Sequence, residues 1–539
     1  MRSLDRRYWG VPLVVLVLYL AQALSPAYVN PYYKNSYNLV VDAWLAGQLH
    51  LKPALDAAFL KSPYNFVAHL DYILAQGIID LSVYRDRLYS YFGAAPAAVL
   101  YLPFRVLTFG RQLPDKAAVL IFCAGGFLAA SALLLHVRRR HFPGAPEGAV
   151  HLSLAVLGLA NMAPMLIRLS NVYEVAMSAA YCFFMTSLYW LVSAFGDEGV
   201  SRPRLFAAGL CAGLAAGSRP TFALAALACL SLTGWRLRRR EGPRAAASAA
   251  AFALPLAAVL SAIAAYNWRR FGNPFEFGAR YQITPLNPMG MGLLLDPSRI
   301  LLSAYLFLFQ APVAGGQPYL RVSHESYGLF RWPASTYQID GGALGMIPGV
   351  PFVLLFLFGP MLVWVSRSAG ASEYLGPRSP FRAALRDTFL LYLGLILLGR
   401  FLAPFRGAAP LSEAALFVDR CNDELPLGLA FATILTARFF SAAVAGEPAA
   451  PAYPRFEASL LGASFLALFG ITCLHQNVNL RYPADFISLA VLSSAILWFH
   501  CDARLRARPG GETGLRALLG GMTFVLAGVS VYVGLLFSR

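Results

Sequence analysis

Apolar runs of about 20 residues, the length that crosses a bilayer as a helix, recur along this whole chain. Runs of this kind fit neither a soluble core nor a disordered chain, because they cannot be hidden one by one in water. The composition agrees: hydrophobic residues make up 58% of the 539, charged residues 13%, and the mean hydropathy is +0.57. Soluble domains carry roughly twice that charge. Coiled coil, collagen, disorder and a secreted disulfide scaffold are thereby excluded, and an all-α polytopic membrane fold is expected.

The first run, 9–27, follows MRSLDRR. A signal peptide has a similar look, but no convincing small-residue cleavage site follows, so it reads as the first span. Further spans are expected at 116–137, 149–168, 174–195, 205–218, 221–235, 246–267, 341–366, 388–404, 423–437, 458–474, 485–501 and 516–536. That makes about 13 helices in a single transmembrane domain over 1–539. The pair 205–218 and 221–235, parted only by Arg219 and Pro220, reads as one broken helix or two.

The net charge of +17 carries no nucleic-acid motif, and the arginines form no stripe. They sit in short loops, as the positive-inside rule requires. With the N-terminus cytoplasmic, the seven inner loops hold 23 of the 44 basic residues, all arginine, in about 100 residues. The RRRH run at 138–141 and RLRRRE at 236–241 fall inside, and the C-terminus falls outside. Two long loops, 30–115 and 268–340, then share the extracytoplasmic face, and function is expected there. The seven cysteines show no metal or disulfide spacing; only Cys421 and Cys473 are placed to meet on one side. The eight histidines form no ligand pair, which leaves an oxygen-ligated divalent cation as the possible cofactor.

In the first long loop, YNLVVDAWLAGQLHL (37–51) spaces Leu39, Val40, Ala43 and Trp44 as an amphipathic helix lying on the membrane, with Gly47 near its end. YFGAAPAAVLYLPFRVLTFG (91–110), broken by Pro96 and Pro103, is expected in the interface as well. Between them Asp80 and Asp86 stand among Tyr84, Arg85, Arg87, Tyr89 and Tyr91. Guanidinium clamps phosphate, aromatic faces stack on sugars, and a carboxylate can serve as a base, so the mix suits a phosphate-bearing or sugar ligand. An interfacial aromatic belt with snorkelling arginines is the plainer account.

Charges at membrane depth are costly and tend to be functional. Arg168 and Glu174 bracket RLSNVYE; they read as substrate groups or as a salt bridge closing a helical hairpin. Arg219 interrupts 205–235 and is either a functional cation or a helix break. Arg481 and Asp485 in LRYPADF open the penultimate helix, where Asp485 also reads as a cap. The second long loop starts with NWRRFGNPFEFGARYQ, offering Glu276, Arg280 and Tyr281.

At these residues the chain resembles the GT-C class of integral-membrane glycosyltransferases, near the protein O-mannosyltransferase and lipid A aminoarabinose transferase branch. The resemblance rests on YNLVVDAWLAGQLHLKP, YFGAAPAAVLYLPFRVLTFGRQLPDKAA, SNVYEVAMSAAYCFF and FAAGLCAGLAAGSRPTFALA, in that order, over roughly residues 10–280. RYPADF adds to it near the end. One departure stands out: the family has an acid shortly before the Tyr that opens the surface helix, whereas here NPYYKNSY carries Lys34 and Asn35. The base must come from elsewhere, and Asp80, Asp42 and Asp86 are the candidates, Asp80 first.

The resemblance implies an inverting glycosyltransferase that moves a sugar from a polyprenyl-phosphate donor to a glycan, lipid or protein acceptor of the cell envelope. The expected location is the bacterial inner membrane, among membrane lipids and without nucleic acid. Glu174 is then the acceptor-orienting or second carboxylate. Arg219, Arg280, Arg481, Arg168 and Arg87, with Tyr281 and Tyr37, are the donor-binding set. A lipid or lipid-linked-sugar flippase, or a non-catalytic GT-C-like scaffold, is the alternative. The missing internal repeat and the one-sided loops speak against the flippase.

Overall fold

The structure is a computed structural model. It describes residues 6–25, 36–284, 300–310, 312–314, 320–322, 338–340, 342–354, 453–475, 477–507 and 513–536. The expected spans 388–404 and 423–437, half of 341–366, and Cys421, Lys34 and Asn35 lie outside them.

The described residues form a helical bundle with short strand pairs at its ends. Six helical stretches are long and apolar enough to cross a membrane: Asp115–His141, Glu147–Leu169, Val172–Ser193, Phe222–Phe271, Arg455–Cys473 and Leu519–Leu536. The protein is therefore a multi-pass membrane protein with an all-α fold. The stretch Phe222–Phe271 turns over at Gly242, where φ is +57°, into helices Phe222–Glu241 and Ala245–Phe271 that pack on each other. Gly10–Leu24 is shorter, and Ile487–Ala507 runs buried through the bundle.

Two breaks follow directly from sequence. Arg219 precedes Pro220, and a residue before proline is pushed out of the α region. Arg219 accordingly adopts φ −139°, ψ 117° and ends the helix Arg202–Ser218. The chain therefore makes two packed helices here, with Phe222–Glu241 as the second. The span expected at 149–168 is likewise two pieces, Glu147–Leu159 and Ala163–Leu169, joined through Met162 at φ +68°.

Helix Arg202–Ser218 touches two others, Val172–Ser193 and Ala245–Phe271, along a face of small residues. A Cβ at Gly209 would sit 2.0 Å from the carbonyl oxygen of Phe252, and one at Gly213 would sit 2.7 Å from the Val259 side chain. In lipid, helices associate mainly through such close packing, because burying one apolar surface on another gains little over burying it in acyl chains.

The first long loop holds the expected helix and a hairpin besides. Helix Ser36–Leu45 buries Tyr37, Val40, Val41 and Ala43 in protein. Leu45 at its end stays 58% exposed. Leu81–Tyr84 and Arg87–Ser90 form an antiparallel hairpin. Its two-residue turn, Arg85–Asp86, has φ of +50° and +59°, as a type I′ turn demands. Further on, helix Leu102–Leu107 leaves Val106, Leu107 and Phe109 exposed, Phe109 by 98%, as expected of an interfacial segment.

Candidate functional site

The two long loops meet. Ser82 and Gln282 bridge in antiparallel fashion, Asp80 N–H donates to the Ile283 carbonyl at 2.9 Å, and Ile283 N–H donates to Leu81 at 2.8 Å. Gln338–Asp340 pairs in parallel with Asn477–Asn479. The segment 91–93, just past the hairpin, crosses the C-terminal end of helix Arg202–Ser218 so closely that a Cβ on Gly93 would lie 2.2 Å from the Gly217 carbonyl oxygen. This crossing brings Tyr91 up to Arg219.

Three buried carboxylates collect at this end of the bundle. Asp80, with φ +60°, receives hydrogen bonds from the Tyr173 hydroxyl and from Gln282 Nε2 at 2.8 Å. Glu174 is fully buried. It is the N3 residue of a capping box opened by Asn171, whose N–H donates to Oε2 at 2.8 Å. Its other oxygen pairs with Arg481 at 2.9 Å. Asp485 sits in the short turn Tyr482–Asp485 ahead of helix Ile487–Ala507, with Arg219 Nε 3.0 Å from its Oδ2.

Aromatic rings tie the pairs together. Arg481 lies over the Tyr173 ring at 4.5 Å, and Arg219 lies 6.0 Å from the Tyr482 ring. Asn479 Oδ1 accepts from both the backbone N–H and Nε of Arg481, so the Gln338–Asp340 strand pairing aims that guanidinium. Tyr91 sits in the field of Asp80, Tyr482, Arg219 and Arg481. Burial pushes its phenol well up, the Asp80 charge adds to this, and the two arginines pull the other way.

The cluster is also rich in unmet polar atoms. Tyr37 Oη, Thr221 Oγ1, His475 Nδ1 and Asp485 Oδ1 are buried without a hydrogen-bond partner. The other Asp485 oxygen has Arg219 Nε 3.0 Å away. Burial raises the Asp485 carboxyl to about 6, against the lowering pull of Arg219. Burial, reinforced by Arg219, lowers His475 to about 4, so it is neutral near pH 7. Unpaired buried polar groups cost about 1–3 kcal/mol each, and a concentration of them is expected where a ligand completes the bonding.

Of the expected site residues, the fold brings together Asp80, Glu174, Arg219 and Arg481, with Tyr37 beside them. Tyr37 is buried and stacked on Tyr101 at 5.3 Å. Others stand apart. Asp42 pairs with Arg105 at 2.7 Å, and neither belongs to the cluster. Asp86 and Arg87 are exposed at the hairpin tip, roughly 13 Å along the strand from Asp80 at about 3.3 Å per residue. Arg280 is exposed, and Tyr281 packs on Tyr84 at 4.7 Å and Phe271 at 5.8 Å, on the outer side of the hairpin. Glu174 pairs with Arg481, not with Arg168 across the turn.

Asp485 is the residue that sequence reading undervalued. A carboxylate ahead of a helix looks like a cap, but here it turns to Arg219. Among the described residues no group of three His, Cys, Asp or Glu is placed to hold a metal ion. Glu174 and Asp485 each face an arginine, and Asp80 is held by Tyr173 and Gln282.

No family model matches the sequence, and no curated protein matches it. Among solved structures, the chain is similar to the archaeal oligosaccharyltransferase AglB from Archaeoglobus fulgidus, determined in complex with an inhibitory peptide and a dolichol-phosphate. The identity is 11% and the TM-score 0.40, over 99% of this chain and 56% of that one. The chain thus spans about half the length of that protein.

Proposed function

We propose that this protein is a membrane glycosyltransferase that moves a sugar from a polyprenyl-phosphate carrier to an acceptor at the end of the bundle where the two long loops meet. One observation carries the reading: two arginines, three buried carboxylates and a set of unpartnered polar atoms are gathered at that end. A sugar-phosphate leaving group needs cationic stabilisation, which Arg219 and Arg481 supply with little reorganisation. An acceptor hydroxyl needs a carboxylate within about 3 Å and a pKa near the working pH.

Asp485 fits the base better than Asp80. Arg219 is its one close charged partner, Oδ1 is left open, and its carboxyl is raised to about 6. Asp80, with both oxygens receiving donors, orients the acceptor or the sugar. Glu174 holds Arg481 in place. Attack by the activated hydroxyl on the anomeric carbon, opposite the departing phosphate, inverts that centre.

The test is release of polyprenyl phosphate from a panel of polyprenyl-phosphate monosaccharides by the purified protein in lipid, with and without a divalent ion. Release that falls in Asp485→Asn and in Asp80→Asn supports the reading. Full release in both variants contradicts the site. No release with any donor by the wild type contradicts the activity.

A further inference from the structure

The opposite end of the bundle carries a separate site. Helices Glu147–Leu159, Ile487–Ala507 and Thr513–Leu536 enclose a cavity of about 360 Å³ lined by Ala149, Leu152, Trp498, Asp502, Arg516 and Gly520, among others. Fifteen residues of helix separate Asp502 from Ile487, next to Asp485, or roughly 22 Å at 1.5 Å per residue. The cavity is therefore distinct from the carboxylate cluster. Its size is in the range of sites that hold small organic ligands.

The chemistry of the lining is divided. Asp502 is buried between two arginines: Arg506 Nε donates to it at 2.8 Å, and Arg516 Nε lies at 3.4 Å. One acid against two guanidiniums leaves a positive charge over. Trp498 is 4% exposed, and its indole N–H has no acceptor. Apart from Thr523 the rest of the lining is apolar, and it lies at the ends of two membrane-crossing stretches, one starting at Glu147 and the other at Leu519. A cationic, hydrogen-bond-donating floor beside an apolar wall, at the depth where a span begins, matches one ligand class in particular. Basic pockets between transmembrane helices take lipid headgroups.

We propose that this cavity binds a phospholipid. Its phosphate lies against Arg516, an ester or glycerol oxygen accepts from the Trp498 indole, and the first methylenes of a chain run along Ala149, Leu152 and Gly520. An inorganic phosphate ion meets the same charge but leaves the apolar wall bare.

The test uses the full chain reconstituted with vesicles of phosphatidylethanolamine and phosphatidylglycerol, extracted in mild detergent, with bound lipid counted by native mass spectrometry. A Cβ at Gly520 meets nothing within 4 Å, so Gly520→Leu fills the cavity without a backbone clash. It is expected to lower lipid occupancy about tenfold, the factor that ~1.4 kcal/mol commands. Trp498→Phe removes one hydrogen bond and is expected to lower affinity ~2- to 10-fold. Leu466→Ala, on the exposed face of Arg455–Cys473, is expected to change nothing. Wild-type occupancy in Gly520→Leu overturns the proposal, and should that variant fail to fold, wild-type occupancy in Trp498→Phe does so. Displacement of the lipid by inorganic phosphate alone overturns the choice of a lipid over a free anion.

Discussion

Both ends of this bundle are crowded with arginine, but they use it differently. At the end holding the terminal Arg138–Arg140 run, several guanidiniums settle on backbone carbonyls or an exposed acid, while Arg506 and Arg516 also face the buried Asp502. Arg204 donates to Ser193 at 2.5 Å, Arg140 to Phe195, Arg240 to Gly196 and Arg506 to Gly144, while Arg140 also faces the fully exposed Asp197 at 3.6 Å. These contacts close helix ends and short turns. At the other end Arg219 and Arg481 face buried carboxylates, among polar atoms left unpaired. The first set is spent mostly on the chain's own carbonyls, whereas the second faces buried carboxylates, and so the number of arginines says less about function than what surrounds them.

The largest break in that contrast is expected from chemistry. If Asp485 is the base, Asp485→Asn lowers transfer by about 10²- to 10⁴-fold, the usual worth of a general base, while donor binding measured by equilibrium dialysis is retained. The next effect is on stability. Arg481→Ala strands the fully buried Glu174 and is expected to cost about 3–5 kcal/mol in denaturant unfolding. The double variant with Glu174→Gln should recover much of that loss, whereas a loss that simply adds would mean the two residues are not coupled.

Gly213→Leu drives a side chain into Val259 and is expected to cost about 1–3 kcal/mol, sharpening the role of the small-residue face. The smallest effect is at the opposite end: Arg140→Gln loses the exposed pair with Asp197 and one hydrogen bond to the Phe195 carbonyl, and should cost about 1 kcal/mol.

The acid limb of the rate profile sharpens the same comparison. A carboxyl raised to about 6 must lose its proton to act as a base, so kcat/KM should rise with pH through that value. The sign for stability is opposite. With the folded pKa above the unfolded one, the group favours the folded state at low pH, and that contribution is lost as pH climbs from 3.8 through about 6. Arg219 lowers this pKa, so Arg219→Gln should move the acid limb upward. A limb that stays in place means another group titrates.

Much of this was legible in the sequence where one residue dictates the backbone. Pro220 forces Arg219 out of the helix, and loop charge set the two long loops on one face, where they meet. The hairpin was hidden. LSVY and RLYS are four residues each, too short for periodicity to speak, and the Arg85–Asp86 turn between them lacks the glycine or asparagine that marks such turns. The partners of charged residues were hidden as well. Glu174 looked nearest to Arg168 but meets Arg481, 307 positions away, and Asp485 looked like a cap but meets Arg219. Sequence spacing reports neighbours within a helix or a turn, whereas the site is built by packing between elements far apart in the chain.

One paired measurement tests the central claim. Release of polyprenyl phosphate from a donor that the wild type accepts should be followed for one variant from each end, Asp485→Asn and Arg140→Gln. Loss of release in Asp485→Asn with near wild-type release in Arg140→Gln is the expected result. Equal release in both, or equal loss, would contradict a site confined to the end where the two long loops meet.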